Sequence, residues 1–247
     1  MADARLWLLA LLGAGAGLVV NVLADQLPQD GLRARPRCPA CGQVLSWTEY
    51  AGGLRPCPRC GTRRLRPWLV VLGLAALTPG LALYPGRLGF WPMWAFLLYS
   101  TFNIVVDVEH RLLFPAVEAA AGVGALAFGI WRRGWVLTTA GGLAGWLFMG
   151  LLYGLGLWMG RRLARRGIGL PDEPALGSGD VLLMGVLGLF LGWPAVAAAL
   201  IAGMLLAGGF SLVLVLLSLF VRRQWPRNVY LPYAPFLILG AWWVLYL

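Results

Sequence analysis

The sequence has few charged residues and no lysine. Only 12% of its 247 residues are charged, 60% are hydrophobic, and the mean hydropathy is +0.76. Because soluble domains carry roughly 25% charged residues, these values exclude an ordinary water-soluble fold. The chain also lacks internal repeats and a low-complexity tail. The composition predicts an all-α polytopic membrane protein, since helices satisfy their own backbone hydrogen bonds in lipid.

The basic residues are all arginine, and the formal net charge is +10. A charge this high can indicate nucleic-acid binding. Here, however, the arginines stand in short groups between apolar segments, which is typical of the loops of a membrane protein. We therefore expect the lipid bilayer as the surroundings and no nucleic acid among the partners.

Eight apolar segments approach the length of about 20 residues that spans a bilayer. They are residues 6–24, 67–84, 90–106, 115–131, 135–159, 179–194, 195–220 and 229–247. Pro194 separates the sixth from the seventh, because proline and the residue before it disfavour continuous helix. Glycine makes up 34 of the 247 residues, which predicts helices that pack closely through small residues.

If each of the eight segments crosses the membrane, the loops between them lie alternately on its two sides. Sixteen arginines fall on one side and four on the other, the four being Arg5, Arg87, Arg132 and Arg133. Arginine accumulates in cytoplasmic loops, so this tally predicts that the first side is cytoplasmic and that both termini lie outside. The alternative, that the first apolar run is a cleaved signal peptide, has little support, since its start is barely basic and no small-x-small site follows.

Four cysteines stand in two pairs within the only long polar loop, residues 26–66: Cys38, Cys41, Cys57 and Cys60. Two C-x2-C turns separated by 15 residues supply the four soft ligands of a tetrahedral zinc site. A glycine follows each pair, where a tight turn benefits from the missing Cβ. We expect a small cytoplasmic zinc-ribbon-like loop between helices 1 and 2, with residues 1–25 as the first span. Two disulfides are the alternative, which a reducing cytoplasm disfavours.

The ten acidic residues differ in setting. Six lie in loops or at termini, where a solvated carboxylate is expected: Asp3, Asp25, Asp30, Glu49, Asp172 and Glu173. Glu118 lies one turn into the fourth span, where it can reach the headgroups. Asp107 and Glu109 close the third span, and Asp180 opens the sixth.

Asp107 and Asp180 lie at the same predicted membrane depth, on the cytoplasmic side. If their helices are neighbours, the two carboxyl groups face each other, and such a pair shares a proton and can activate water, as in aspartic proteases. Gly177 and Gly179 would let the backbone and a substrate strand approach Asp180. The alternatives are a helix cap for Asp180 and a wetted helix end for Asp107. His110, the one histidine, reads as a polar loop residue or, alternatively, as a catalytic base or metal ligand.

Five segments in chain order resemble the type IV prepilin peptidase family, membrane aspartic proteases of the GxGD type. The first is GLVVNVLADQLP (17–28), similar to the family's N-terminal segment, and the second is the pair of CxxC motifs. The third is VDVEHRLLFP (106–115), which resembles D-x-x-x-x-x-L-P. The fourth is GSGDVLLMGVLGLFLGW (177–193), which fits GxGD and its Gly-rich helix. The fifth is YLPYAPFLILGAWW (230–243), similar to the closing segment.

The resemblance implies that residues 67–247 form a membrane-embedded peptidase core in which Asp107 and Asp180 are catalytic. Members of this family remove leader peptides from type IV prepilins and type II secretion pseudopilins at the cytoplasmic face of the bacterial inner (plasma) membrane. Many then methylate the new N-terminus with S-adenosylmethionine, an activity associated with the cysteine loop. The implied partners are prepilins and pseudopilins. The implied cofactors are structural zinc and, if methylation is retained, S-adenosylmethionine.

The chain departs from the family pattern at several positions. Leu182 replaces a lysine that commonly follows GxGD, and Gln26 replaces the arginine of R-L-P. Val70 and Val71 stand where an acidic residue often follows the cysteine loop, and LLFP is one residue longer than L-L-P. Both aspartates are retained, so the departures weigh against methylation more than against proteolysis.

A second class of function is a non-catalytic membrane scaffold or transporter subunit whose zinc ribbon docks a partner. In that class the two aspartates would be helix caps or ion-path residues.

Overall fold

The computed structural model describes residues 2–30, 35–165, 177–222 and 231–247, and no β-strand occurs within these ranges. The helices are α1 (Ala2–Asp30), α2 (Trp47–Tyr50), α3 (Arg66–Leu83), α4 (Phe90–His110), α5 (Pro115–Arg133), α6 (Trp135–Ala164), α7 (Ser178–Leu191), α8 (Ala195–Arg222) and α9 (Ala234–Tyr246). The predicted all-α membrane fold is confirmed, with one helix on each apolar segment. The predictions concerning residues 31–34, 166–176 and 223–230, Asp172 and Glu173 among them, lie outside the described residues.

The helices differ in their capacity to cross a bilayer. By length and composition, α1, α3, α6 and α8 are sufficient to span it, and α7 and α9 are apolar but shorter. With 14 residues, α7 rises only about 21 Å, against a hydrocarbon core of about 30 Å. The break predicted before α8 is present, since α7 ends at Leu191 and α8 begins at Ala195.

The chain divides into two compact units, Met1–Val106 and Asp107–Leu247. In the first unit, α1 and α3 form an antiparallel pair. A Cβ at Gly17 would lie 2.8 Å from Val71 Cα. Four residues further along α1, Asn21 donates a hydrogen bond to the carbonyl oxygen of Pro67 at 3.0 Å. The missing side chain at Gly17 therefore permits backbone contact between the helices, as the glycine content predicts.

In the second unit, α7 is the central helix and packs against α5, α6, α8 and α9. Leu183, Met184 and Leu187 of α7 are fully buried. The closest approach is to antiparallel α6, where a Cβ at Gly188 would lie 2.8 Å from the carbonyl carbon of Gly141. The helix that carries Asp180 is thus enclosed by protein rather than lipid.

The C-terminal end of α7 is capped by Arg133 from the end of α5. Its guanidinium donates a hydrogen bond to the carbonyl oxygen of Leu189 at 2.8 Å and a second to that of Phe190. The last carbonyls of a helix lack partners within it, and a cation there also suits the helix dipole. Arg133 therefore anchors the end of α7 opposite Asp180.

Candidate active site and metal centre

Asp107 lies one turn before the end of α4 and is 7% exposed. Its Oδ2 accepts a hydrogen bond from the backbone amide of Ala234 at 3.1 Å. Ala234 is the first residue of α9, where the amides have no partner within the helix. The positive charge of Arg111, one turn further on, also acts on the Asp107 carboxylate. The second unit thus places this carboxyl group at a helix N-terminus and beside a cation, which offset part of the cost of burying its charge.

Asp180 is the third residue of α7 and is 6% exposed. Its Oδ2 accepts a hydrogen bond from the amide of Gly177 at 3.0 Å, and its own amide donates to the Gly177 carbonyl at 3.2 Å. Gly177 is therefore the N-cap, and Asp180 supplies the side chain that reaches back to it. The helix-capping role considered for Asp180 from the sequence is therefore present. Asp180 caps the helix from the third helical position and is not itself the N-cap residue.

The two aspartates are neighbours in the folded unit. The charge of Asp107 acts on Asp180, so each carboxyl group lies within electrostatic range of the other, although 73 positions separate them in the chain. Two buried carboxyl groups at short range do not both ionise readily, so such a pair holds a proton between them. The pair can therefore present one acid and one base to a substrate.

Other predicted residues around the pair have more local explanations. A Cβ at Gly179 would lie 2.7 Å from the Cβ of Leu113, so the close approach of the α4–α5 connection by itself requires glycine there. His110 is exposed, and its Nε2 lies 3.9 Å from a carboxylate oxygen of Glu109. The histidine therefore lies at the surface, in agreement with a polar role.

The four cysteines form one cluster in the first unit, and their sulfur atoms all lie within 4.8 Å of one another. The Cys38–Cys60 and Cys41–Cys57 sulfur pairs are each 3.8 Å apart. Four thiolates at about 2.3 Å from a tetrahedral zinc ion would be separated by about 3.8 Å. A disulfide bond requires a sulfur–sulfur distance of about 2.05 Å, so the two disulfides considered as the alternative are not formed. The donor set fits a metal ion with four thiolate ligands.

The two cysteine turns have the same backbone geometry. Gly42 and Gly61 have φ of +71° and +67°, and their amides donate to the carbonyls of the first cysteine in each pair at 2.8 Å. The left-handed conformation explains why glycine follows each pair. Hydrogen bonds from Thr62 lower the pKa of Cys60 to about 6, which favours the thiolate that binds metal.

Asp25 is a site that sequence reasoning missed, and the expectation that it is solvated is wrong. It is 4% exposed, and it accepts two hydrogen bonds from Arg64 at 2.8 Å each. Arg66 and the Tyr50 hydroxyl also donate to it. Burial and the charge of Asp25 raise the pKa of Tyr50, which keeps the phenol a donor. The cluster ties both halves of the cysteine loop to the end of α1.

Glu118 also departs from expectation, since its side chain is buried within the protein. It is 2% exposed and is among the largest fully buried side chains of the described residues. On α5 it lies on the buried face, with Ala125 and Gly129 further along. The sequence contained one signal of this position, since the spacings of seven and four residues are close to two turns and one turn of a helix.

Comparison with known proteins gives relatives but no family model or solved structure that matches. The chain is 28% identical over 239 residues to a prepilin leader peptidase/N-methyltransferase of Myxococcus xanthus (strain DK1622), which is 89% of this chain and 65% of that protein. Proteins of the same name from Aeromonas salmonicida (strain A449) and Aeromonas hydrophila are each 25% identical, over 84% and 88% of this chain and 69% and 73% of their own lengths.

The fold and the two sites define a polytopic helical membrane protein with a four-cysteine loop and a pair of buried neighbouring aspartates. Over most of its length, the chain is similar to proteins named prepilin leader peptidase/N-methyltransferase. It spans about two thirds of the length of these relatives.

Proposed function

We propose that the chain is a membrane aspartic endopeptidase that cleaves the leader peptide of type IV prepilins and pseudopilins, with Asp107 and Asp180 as the catalytic residues. The proximity of these two buried carboxyl groups is the observation that supports this function most. The names of the relatives supply the substrate class.

The reaction needs one ionised and one protonated carboxyl group. The ionised member takes a proton from water, whose oxygen attacks the carbonyl carbon of the scissile peptide bond. The protonated member donates to the carbonyl oxygen, giving a neutral tetrahedral intermediate. The carbon–nitrogen bond then breaks as the leaving nitrogen takes a proton from the carboxyl group that accepted one earlier, and a hydroxyl of the intermediate returns its proton to the carboxylate that donated one. The products are the leader carboxylic acid and a new amino terminus.

The amides of Ala234 and Gly177 each hold one oxygen of a catalytic carboxyl group. The remaining oxygens of the pair are then available to water and substrate. Preorganised donors of this kind reduce the reorganisation needed during reaction.

Cleavage of a purified prepilin in detergent tests the proposal, using Asp107→Asn and Asp180→Asn with thermal unfolding as the measure of folding. Either variant should lower kcat by at least about 10²-fold without loss of the fold. Glu109→Gln is the matched control, because its carboxyl group is two residues from Asp107 but exposed. Retention of wild-type cleavage in both Asn variants would refute the peptidase and favour the scaffold or transporter class.

For the cysteine loop, we propose a structural zinc ion held by Cys38, Cys41, Cys57 and Cys60. Four thiolates leave no open position for water, so the ion would supply folding free energy rather than chemistry. Methylation of the new N-terminus is the second proposed activity, and the name of the relatives, which includes N-methyltransferase, favours it. Transfer of label from S-adenosylmethionine to a cleaved pilin tests it, and no transfer would leave a peptidase only.

We propose that the cysteine loop and the aspartate pair face the cytoplasm across a bacterial inner membrane. The arginine tally supports this orientation. Trypsin should cleave the exposed loop at Arg37 or Arg63 in inverted membrane vesicles and not in right-side-out vesicles; the reverse pattern would overturn the orientation.

A further inference from the structure

The contacts of the first unit give the membrane depth at which the cysteine loop is attached. The 18 residues of α3 rise about 27 Å, close to the thickness of the hydrocarbon core, about 30 Å. Both ends of α3 therefore lie at the boundary between lipid tails and headgroups. Asn21 of α1 donates a hydrogen bond to the carbonyl oxygen of Pro67, the second residue of α3. Asn21 therefore lies at the same boundary.

The part of α1 that follows Asn21 extends beyond the hydrocarbon core. Asp25 is four residues further along, a rise of about 6 Å at 1.5 Å per residue. The headgroup layer on each side of the core is about 5–7 Å thick, because a bilayer measures about 40–45 Å in all. Asp25 and the cluster of side chains around it therefore lie within the headgroup layer.

Several contacts hold the cysteine loop at this depth. The Tyr50 hydroxyl donates to the Asp25 carboxylate, and Arg64 donates to it twice, at 2.8 Å each. A Cβ at Gly53 would lie 3.0 Å from Cγ of Pro67 and 3.6 Å from Oδ2 of Asp25. The loop is thus held against the ends of α1 and α3, level with the headgroups.

Large apolar side chains are exposed around this attachment. Leu65 is 80% exposed, and Trp47 and Trp68 are 50% and 48% exposed. Trp47 lies one turn before Tyr50 on α2, and Leu65 and Trp68 lie on either side of the first residue of α3. Tryptophan is enriched at the headgroup level of membranes, where its ring contacts lipid and its N–H group contacts water. These three side chains therefore match a lipid headgroup surrounding.

The exposed charge of the loop is mostly of one sign. Among residues 35–65, which belong to the described part of the chain, Glu49 is the single exposed acidic residue, and five arginines are exposed: Arg35, Arg37, Arg55, Arg59 and Arg63. Arg55 donates a hydrogen bond to a carbonyl oxygen of α2 at 3.2 Å, and Arg63 directly precedes Arg64. Both therefore lie near the depth of the attachment, where a guanidinium group can bind lipid phosphate.

We propose that the cysteine loop lies in the headgroup layer and binds anionic phospholipids. Trp47, Leu65 and Trp68 contact the lipids, and Arg55 and Arg63 bind their phosphates. These five residues form a headgroup collar around the ends of α1 and α3. Their positive charge selects anionic over zwitterionic lipids. The inference does not depend on the proposed peptidase, because it uses contacts within the first unit alone.

Paramagnetic broadening tests the depth of the collar in the full chain, labelled with 5-fluorotryptophan and placed in lipid nanodiscs. The fluorine resonances that disappear in Trp47→Phe and Trp68→Phe identify the two residues. A nitroxide on the lipid headgroup should broaden both more than a nitroxide at the end of the acyl chain. Trp146, exposed near the middle of α6, should show the opposite order. Broadening of Trp47 by a water-soluble gadolinium chelate and by neither lipid would overturn the proposal.

Native mass spectrometry of the full chain, released from nanodiscs of equal phosphatidylglycerol and phosphatidylcholine, tests the lipid class. The wild type should retain phosphatidylglycerol preferentially. Arg55→Gln combined with Arg63→Gln should lower this preference by about fivefold per arginine. Arg37→Gln combined with Arg59→Gln removes the same charge from the cysteine turns and should keep most of the preference.

Three results would contradict the lipid site. Equal retention of the two lipids by the wild type would exclude selection of anionic lipid, and this comparison needs no variant to fold. An unchanged preference in the Arg55 and Arg63 double variant would exclude these arginines as phosphate ligands. Equal losses in the two double variants would show that the net charge of the loop, and not the collar, attracts the lipid.

Discussion

The backbone amide of Ala234 donates a hydrogen bond to Asp107 Oδ2 at 3.1 Å, joining the start of α9 to the end of α4. Ala234 is fully buried, so water does not replace the carboxylate as its acceptor. The bond therefore gives Asp107 a structural role beside its proposed catalytic one.

Asp107→Ala should lower the free energy of unfolding by about 1–3 kcal/mol, because it leaves the buried amide of Ala234 without an acceptor. Asp107→Asn keeps an oxygen for that amide and should cost less. Thermal unfolding in detergent compares the two. Equal loss of stability in both variants would show that the hydrogen bond contributes little.

Asp25→Asn should destabilise the cysteine loop, because Arg64 and Arg66 would face a neutral partner. Removing one member of a buried ion pair costs about 3–5 kcal/mol, and we expect the low end, since the Arg64 side chain is 22% exposed. Faster tryptic cleavage of the loop reports the loosening. Glu49→Gln, in an exposed helix cap, is the control, and equal cleavage of both variants would contradict the expected role of Asp25.

Cys57→Ser should abolish binding of zinc, because three thiolates and a hydroxyl hold it far less tightly than four thiolates. Elemental analysis of the purified protein should give one zinc per chain for the wild type and much less for the variant. Thr62→Val removes a hydrogen bond to Cys60 without removing a ligand and should retain the metal. Equal zinc in Cys57→Ser and the wild type would exclude the four-cysteine site.

Gly188→Leu should destabilise the second unit by at least about 1–3 kcal/mol, because overpacked positions force backbone shifts. A Cβ there would lie 3.0 Å from Gly142 Cα. Gly154→Leu is the matched control on α6, where no atom lies within 4 Å of the added Cβ. Thermal unfolding should give a lower melting temperature for Gly188→Leu than for Gly154→Leu. Similar melting temperatures would mean that α6 and α7 can move apart at this contact at little cost in stability.

Much of the architecture was predictable because it depends on local composition. Each of the eight apolar segments carries one helix, and Pro115 and Pro194 lie where helices begin or break. The cysteine cluster was equally accessible, since a C-x2-C turn brings its own two ligands together. The sequence alone predicts solvent around Asp25 and headgroups around Glu118. The reason is that a helix end carries no sign of which distant segment packs over it.

The sequence by itself determined the membrane helices, the four-cysteine loop and the two aspartates as candidates, since these follow from hydropathy and from spacing within short segments. Only the tertiary structure decided which polar groups meet. Asp107 with Asp180 and Ala234, and Asp25 with Arg64 and Arg66, are joined across 39 to 127 positions of chain. Such partners depend on how buried helices pack, and that packing is set by contacts among all of them together.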